Sequence, residues 1–171
     1  YGVAVSGTNS QAILNNTNIV RTHFASEKAG ANTNELINVA ERSTVELNGS
    51  TIDGKNEVKG ITTKGNLILG GNTFQGCVGS DVLFNADVKM QLSQALTSII
   101  KVTPKVYENK VIVEKAGNIT DAVFQESMKY ISVAPNGTEK WHVNEEGKLT
   151  KTGVILSTNG VNTHYARLED A

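Results

Sequence analysis

The most constraining feature of this chain is a short internal repeat. Segments 45–54 (VELNGSTIDG) and 67–76 (LILGGNTFQG) follow one pattern at an interval of 22 residues, and a shorter copy lies at 13–19 (ILNNTNI). Each copy contains an apolar strand, a small polar corner with Gly or Asn, and a second short strand. Repeats of this size are typical of solenoids, in which one coil cannot bury its apolar face alone and therefore stacks on its neighbours.

Alignment of the three copies predicts two columns of apolar side chains inside the solenoid. The predicted columns are Leu14, Leu47 and Leu69 on one side, and Ile19, Ile52 and Phe74 on the other. Equivalent side chains of adjacent coils lie above one another, so each column is expected to form a continuous core along the axis.

The corners of the copies carry residues that tolerate a left-handed backbone. Asn16, Gly49 and Gly71 occupy equivalent corner positions. Gly and Asn adopt positive φ at low cost, so we predict that the chain bends at these residues. Asn15 and Asn48 are expected to stack on each other in neighbouring coils.

Two stretches lie outside the repeat. Segment 25–34 is polar and lengthens the interval between the first two copies, so we expect it to leave the solenoid as a loop on one face. Segment 82–100 fits a strand by its alternation, and a helix because Val88 and Leu92 share one helical face. We favour a strand through about Leu92 and leave open a short helix after Ser93, so helix or strand is undecided over 86–100.

The pattern changes after Ile99 to short strands separated by turn signals. The turn signals are Asn136-Gly137, Glu146-Gly147 and Asn159-Gly160. Asn-Gly between alternating runs is the strongest local signal for a β-hairpin. This part of the chain is therefore expected to be antiparallel.

Together these patterns predict an all-β protein with a boundary near residues 93–98. Residues 1–95 are expected to form right-handed parallel β-helix-like solenoid coils. Residues 96–171 are expected to form an antiparallel β-meander or small sandwich that acts as a trimerisation or tip region. A narrow meander of short strands buries too little surface alone, so we predict that three copies intertwine as a homotrimer.

Composition excludes several classes of function. The 16 basic and 17 acidic residues give a net charge of -1, which argues against a nucleic-acid partner held by phosphate contacts. No apolar run is long enough to span a bilayer, and no charged leader precedes an apolar stretch. Because the chain starts without Met and already in strand-like alternation, we interpret it as a piece of a longer protein.

Segment 134–149 (APNGTEKWHVNEEGKL) resembles an element frequent in trimeric tail fibres and tailspikes of tailed bacteriophages. In that element an aromatic-x-Val/Ile strand precedes an acidic, Gly-containing turn and then x-Leu/Ile. Segment 117–120 (GNIT) fits the same style, and the solenoid is similar to the β-helical trunk of these proteins, as in podovirus pre-neck appendages. The resemblance implies a homotrimer whose upstream β-helix often degrades surface polysaccharide and whose distal end adheres to the host.

Four carboxylates are the candidates for catalysis. Asp53 and Glu57 lie around a repeat corner, and Asp81 and Asp87 flank a predicted strand. Glycoside hydrolysis needs two carboxyl groups roughly 5 to 10 Å apart, which coil stacking can provide. The residue equivalent to Asp53 is Gln75, however, so no acidic ladder forms there. We interpret the four as solvated surface charges and keep catalysis as the alternative.

Other reactive side chains give no site. Cys77 is the only cysteine, which excludes an intrachain disulfide or a Cys-rich zinc site, and we interpret it as a small buried filler. Glu27 and Glu35 belong to the polar excursion. The three histidines, which have no metal-ligand spacing, are His23, His142 and His164. For Trp141 we favour a place in the trimer core over sugar stacking.

The expected function is structural and adhesive. We predict a segment of a phage tailspike or appendage, located in the virion, that trimerises and contacts host cell-wall polysaccharide or teichoic acid. No cofactor, metal, nucleic acid or membrane insertion is expected. One alternative is part of a polysaccharide-degrading β-helix enzyme acting as a glycopolymer hydrolase. The other is a secreted or cell-surface bacterial adhesin passenger segment.

Overall fold

The computed structural model describes residues 2–21, 35–158 and 161–165. Strands dominate, with one α-helix among the described residues, and most strands belong to parallel sheets, so the predicted all-β class is confirmed. The segment 25–34, for which we predicted a loop, lies outside the described residues.

Three successive units open the chain, and each unit places one strand in each of three sheets in turn. The strands are β1 (Val3–Val5), β2 (Gln11–Asn15) and β3 (Asn18–Val20), then β4 (Glu35–Val39), β5 (Thr44–Asn48) and β6 (Thr51–Asp53), then β7 (Lys59–Thr63), β8 (Asn66–Gly70) and β9 (Thr73–Gln75).

Units with fewer strands and two hairpins follow. The elements are β10 (Val82–Phe84), β11 (Met90–Leu92), β12 (Ile100–Thr103), β13 (Val113–Lys115), α1 (Asp121–Met128), β14 (Ile131–Val133), β15 (Trp141–Val143), β16 (Leu149–Lys151), β17 (Val154–Thr158) and β18 (Val161–Tyr165). In these units α1 or an irregular segment replaces the third strand.

Each strand of a unit pairs with the equivalent strand of the next unit. One sheet has six strands in the order β1-β4-β7-β10-β12-β14, a second has five in the order β13-β11-β8-β5-β2, and a third has three in the order β3-β6-β9. All pairs within these sheets are parallel. The chain therefore advances by one strand spacing per unit.

The strand register confirms both predicted columns. Leu47 lies opposite Leu14 on one side and Leu69 on the other. Ile52 lies between Ile19 and Phe74 in the same way. Leu47, Leu69 and Ile52 are 0% exposed, so equivalent apolar residues do share one interior.

The predicted corner geometry is also confirmed. The φ angles of Asn16, Gly49 and Gly71 are 49°, 57° and 62°, in the left-handed region. Asn15 and Asn48 are register partners, and the Asn48 side-chain amide donates to Asn15 Oδ1 at 3.0 Å. The residues that permit each bend thus also align from unit to unit.

Side chains next to the corners form hydrogen bonds between adjacent units, which the repeat pattern did not predict. Asn72 Oδ1 accepts from the Ser50 amide at 2.9 Å, and its Nδ2 donates to the Leu47 carbonyl at 2.8 Å. Ser50 does the same one unit earlier, since its Oγ accepts from the Thr17 amide and donates to the Leu14 carbonyl. Each such residue satisfies buried backbone groups that a tight bend leaves unpaired.

The strand predicted through Leu92 is two strands in different sheets. Residues 82–84 and 90–92 form β10 and β11, and the chain bends over 85–89. Alternation continues across that bend, so periodicity alone could not show it. No helix occurs over residues 86–100, where helix or strand was undecided. The helix lies at α1 instead, where the Thr120 side chain accepts from the Val123 amide as an N-cap.

Antiparallel pairing begins later than predicted. Strand β12 pairs in parallel with β10 and β14, and β13 pairs in parallel with β11, so parallel sheets continue to Val133. Antiparallel pairs occur at β15–β16 and β17–β18. A two-residue alternation does not distinguish parallel from antiparallel strands, which explains the error. The division into domains at 93–98 stays a prediction.

Candidate functional site

Asp53 is buried at the end of β6, and its carboxylate makes hydrogen bonds and an ion pair. It is 5% exposed. Its carboxylate accepts from Gln75 Nε2 at 2.9 Å and from the Lys55 amide at 2.9 Å, and Lys55 Nζ lies 2.5 Å away. The hydrogen bonds from Lys55 hold the pKa of Asp53 below its ordinary value. Gln75, the residue that excluded an acidic ladder, therefore bonds directly to Asp53.

Asp81 is buried just before β10, and its environment differs. It is 6% exposed, and its Oδ2 accepts from the Lys101 amide at 2.7 Å. Burial raises the pKa of Asp81, opposed by that hydrogen bond and by one with the Cys77 thiol. Burial also raises the pKa of Cys77 to about 12, so this half-buried thiol stays protonated at neutral pH and is a poor nucleophile.

The other two candidate carboxylates lie in ion pairs at the surface. Glu57 accepts from Arg21 Nε at 3.2 Å, and Asp87 pairs with Lys110 Nζ at 2.5 Å. The expectation of solvated charges thus describes Glu57 and Asp87 but is wrong for Asp53 and Asp81. The two buried acids carry hydrogen bonds between units, and the stacking of units produced that burial.

The histidine and tryptophan near the β15–β16 hairpin make structural contacts. His142 is buried and its Nδ1 lies 2.7 Å from Thr152 Oγ1. Trp141 is half-buried and its ring meets Tyr107 edge-on, with 5.8 Å between ring centroids. Placement of Trp141 in a trimer core stays a prediction. His23 lies outside the described residues.

A polar groove crosses the outside of the six-stranded sheet over β4, β7 and β10. Its volume is about 440 Å³. The residues that line it are Glu35, Asn38, Ala40, Lys59, Thr62, Lys64, Leu83 and Asn85. They come from equivalent positions, since Thr62 is the register partner of both Asn38 and Leu83, and Lys59 is that of Glu35. Parallel stacking has therefore assembled the groove from three units.

The groove floor holds a polar atom with no bonding partner. Thr62 is 6% exposed, and its hydroxyl oxygen is buried without a hydrogen-bond partner among the described residues. Leaving such a group unpaired costs about 1–3 kcal/mol, so its presence calls for an explanation. A ligand hydroxyl or acid group is one partner that would satisfy it.

The electrostatics of the groove are net positive. Lys59 and Lys64 line it and form no ion pair with any residue of the described ranges. The one acidic side chain, Glu35, accepts from Asn38 Nδ2 at 3.0 Å. Two cations and two amides therefore line the groove, against one anion that is already hydrogen-bonded.

Sequence reasoning missed this groove although a signal was present. Extension of the repeat upstream of each copy aligns 35–40 (ELINVA) with 59–64 (KGITTK) at an interval of 24 residues. That alignment places Asn38 beside Thr62 and Ala40 beside Lys64. Outward positions of a solenoid vary in chemistry, so the apolar repeat did not identify them.

Neither a metal-binding cluster nor a membrane-spanning helix occurs among the described residues, and the comparisons with known proteins gave no match. No group of three or more His, Cys, Asp or Glu residues in the described ranges could hold a metal ion. No helix among those residues has the length and apolarity to cross a bilayer. The chain matches no known protein family, no curated protein and no solved structure.

Proposed function

We propose that this chain is a right-handed parallel β-helix segment of a phage tailspike or appendage, which trimerises and adheres to host cell-wall glycopolymer. The virion is its proposed location. The single observation that carries the adhesive function is the polar groove built across three stacked units. The phage assignment and the trimer come from the resemblance of segment 134–149 to tail-fibre elements.

The β-helix assignment is supported by strand order and register. Each of the three parallel sheets takes one strand from each successive unit, and equivalent residues lie opposite one another. Crossover connections between parallel strands of one sheet are right-handed in nearly all proteins, which gives the proposed hand. Such a stack is rigid along its axis and presents its outward side chains in fixed rows.

Adhesion is favoured over hydrolysis by the state of the candidate acids. Asp53 and Asp81 are buried and hydrogen-bonded within the stack, while Glu57 and Asp87 are held in ion pairs. A hydrolase needs an acid and a base that reach the scissile bond. The groove offers lysines, amides and a hydroxyl, which suit binding.

Two measurements test the proposal. Sedimentation equilibrium at micromolar concentration is expected to show a homotrimer. A stable monomer would contradict the proposed trimer. Incubation with isolated bacterial cell walls is expected to deplete the protein from solution without releasing reducing ends. If the protein stays in solution with every cell-wall preparation, the proposed adhesive function is contradicted.

Hydrolysis is the second candidate, and one observation favours it. The pKa of Asp53 is lowered while that of Asp81 is raised, and opposite shifts are the pattern of a base and an acid. If this candidate is correct, cell-wall polymer releases new reducing ends or phosphate esters, and Asp53→Asn or Asp81→Asn abolishes the release. No release from any polymer leaves binding alone.

A further inference from the structure

We infer that the groove over β4, β7 and β10 binds a negatively charged glycopolymer, a polyhydroxylated chain with repeated phosphate or carboxylate groups. This inference rests on the proposed adhesive function and names its site and ligand class. The groove volume of about 440 Å³ falls within the usual range of roughly 300–1,000 Å³ for ligand sites.

The placement of the two lysines favours a ligand that is both anionic and extended. Lys59 opens β7 and Lys64 follows its last residue, so the two lysines are five positions apart in the chain. At about 3.3 Å per residue their backbones are roughly 16 Å apart. A polymer with a charge on each repeat meets both ammonium groups at that backbone spacing.

The polar atoms between the lysines favour a ligand rich in hydroxyl groups. Asn38 and Asn85 line the groove with amides, which both donate and accept hydrogen bonds. Thr62 lies in the middle strand with an unpartnered hydroxyl among the described residues. Because that oxygen is covered, a ligand reaches it only when a neighbouring side chain moves.

The outward row offers two paths to a ligand chain. Asn38 and Leu83 flank Thr62 in register, and adjacent strands lie about 4.8 Å apart. A polymer that crosses the strands passes Asn38, Thr62 and then Leu83. A polymer that runs along β7 passes Lys59, Thr62 and then Lys64, so the second path uses both cations.

The first test titrates the full chain with three probes by calorimetry. Poly(glycerol phosphate) and polygalacturonate carry phosphate and carboxylate, and dextran carries hydroxyl groups alone. We expect at least one anionic polymer to bind and dextran not to bind. The anionic polymer with the higher affinity shows whether the groove prefers phosphate or carboxylate groups. Affinity is expected to fall as salt rises through 0.15 M. Equal binding of dextran, or binding by dextran only, would overturn the inferred ligand class.

The second test uses matched charge variants. Lys59→Ala/Lys64→Ala is expected to weaken binding of the anionic polymer by about tenfold or more, since hydrogen bonds to charged groups are lost. Lys105→Ala/Lys140→Ala removes the same charge from exposed positions outside the groove and is expected to change affinity by less than about twofold. Equal losses in the two variants would mean general attraction and overturn the site.

A third variant isolates the hydroxyl. Thr62→Val keeps the shape of the side chain, so the fold is expected to be as stable as before or more stable, while binding weakens by about threefold. Unchanged affinity would overturn the role of Thr62.

A cell-wall binding assay separates the site from the proposed adhesive function. Loss of wall binding in Lys59→Ala/Lys64→Ala supports the site. Wall binding by this variant equal to that of the native chain rejects the site and leaves the adhesive function unaffected. A native chain that binds no wall rejects both.

Discussion

The stacked units and the segment that follows them build buried cores in different ways. In the stack, Ile37, Ile61 and Val82 are consecutive register partners, and each is 0% exposed. In the closing segment, which is formed by α1 and the β15–β16 hairpin, the side chains of Phe124 and Leu149 are buried, and neither residue lies on a strand of the three parallel sheets. In the repeat, the same packing contact recurs at equivalent positions of successive units, whereas each packing contact of the closing segment occurs once.

The edge of β13 shows what the closing segment does. The amides of Ile112 and Val113 donate to the Gly147 carbonyl at 3.0 and 3.1 Å, and the Leu149 amide donates to the Lys110 carbonyl. The β15–β16 hairpin therefore covers backbone groups that the five-stranded sheet leaves unpaired at this edge. Covered edges protect a sheet from pairing with other chains.

The largest effect is expected for Leu47→Ala, in the centre of a column. Leu47 is 0% exposed between Leu14 and Leu69, so the change leaves a cavity and lowers the free energy of unfolding by about 3–4 kcal/mol. Chemical denaturation measures it. Ile13→Ala is the control, because Ile13 is 52% exposed. Similar losses for both would mean that the column is not a core.

The closing segment is tested by Gly147→Ala. Gly147 has φ of 76°, and an added Cβ would lie 2.1 Å from the Val113 carbonyl oxygen, so the hairpin must move. We expect a loss of about 3 kcal/mol, part from the left-handed backbone and the rest from the clash. Gly137→Ala has φ of 60° and open space, so about 1 kcal/mol is expected. Equal losses of unfolding free energy in the two variants would show that the close contact between Gly147 and Val113 does not matter for stability.

A smaller effect is expected for Asn72→Ala at a corner of the stack. The change leaves the Ser50 amide and the Leu47 carbonyl without their partner. We expect a loss of about 2 kcal/mol in the free energy of unfolding, measured by urea denaturation. Asn72→Ser offers a shorter polar group, as Ser50 does one unit earlier, and is expected to recover part of the loss. A loss under about 0.5 kcal/mol would show that the corner bond is dispensable.

The smallest effect concerns the pH dependence of stability. The pKa of Asp53 is below its ordinary 3.8 when folded, so its contribution is present above that value and is lost as pH falls further. The pKa of Asp81 is raised, so the folded protein binds the extra proton and stability falls as pH rises above 3.8. Asp53→Asn is expected to flatten the acid-side loss and Asp81→Asn the fall with rising pH. Identical profiles for both variants would contradict the opposite shifts.

Much of the stack was predictable because it repeats. The columns through Leu47 and Ile52 and the positive φ at Gly49 and Gly71 follow from an apolar pattern with small corner residues. The groove was less visible, since its residues share no chemistry from unit to unit. The helix at Asp121–Met128 was missed because its signals are short and its place in the fold is that of a strand.

The sequence by itself determined the all-β class, the interval between units and the residues that face the interior, because local periodicity and corner chemistry act within one unit. Only the tertiary structure decided which strands run parallel beyond residue 95, that Asp53 and Asp81 are buried, and that Lys59, Thr62 and Lys64 meet Asn38 and Asn85 at one groove. Those outcomes depend on how one unit lies on the next, and that placement arises from contacts between residues more than 20 positions apart in the chain.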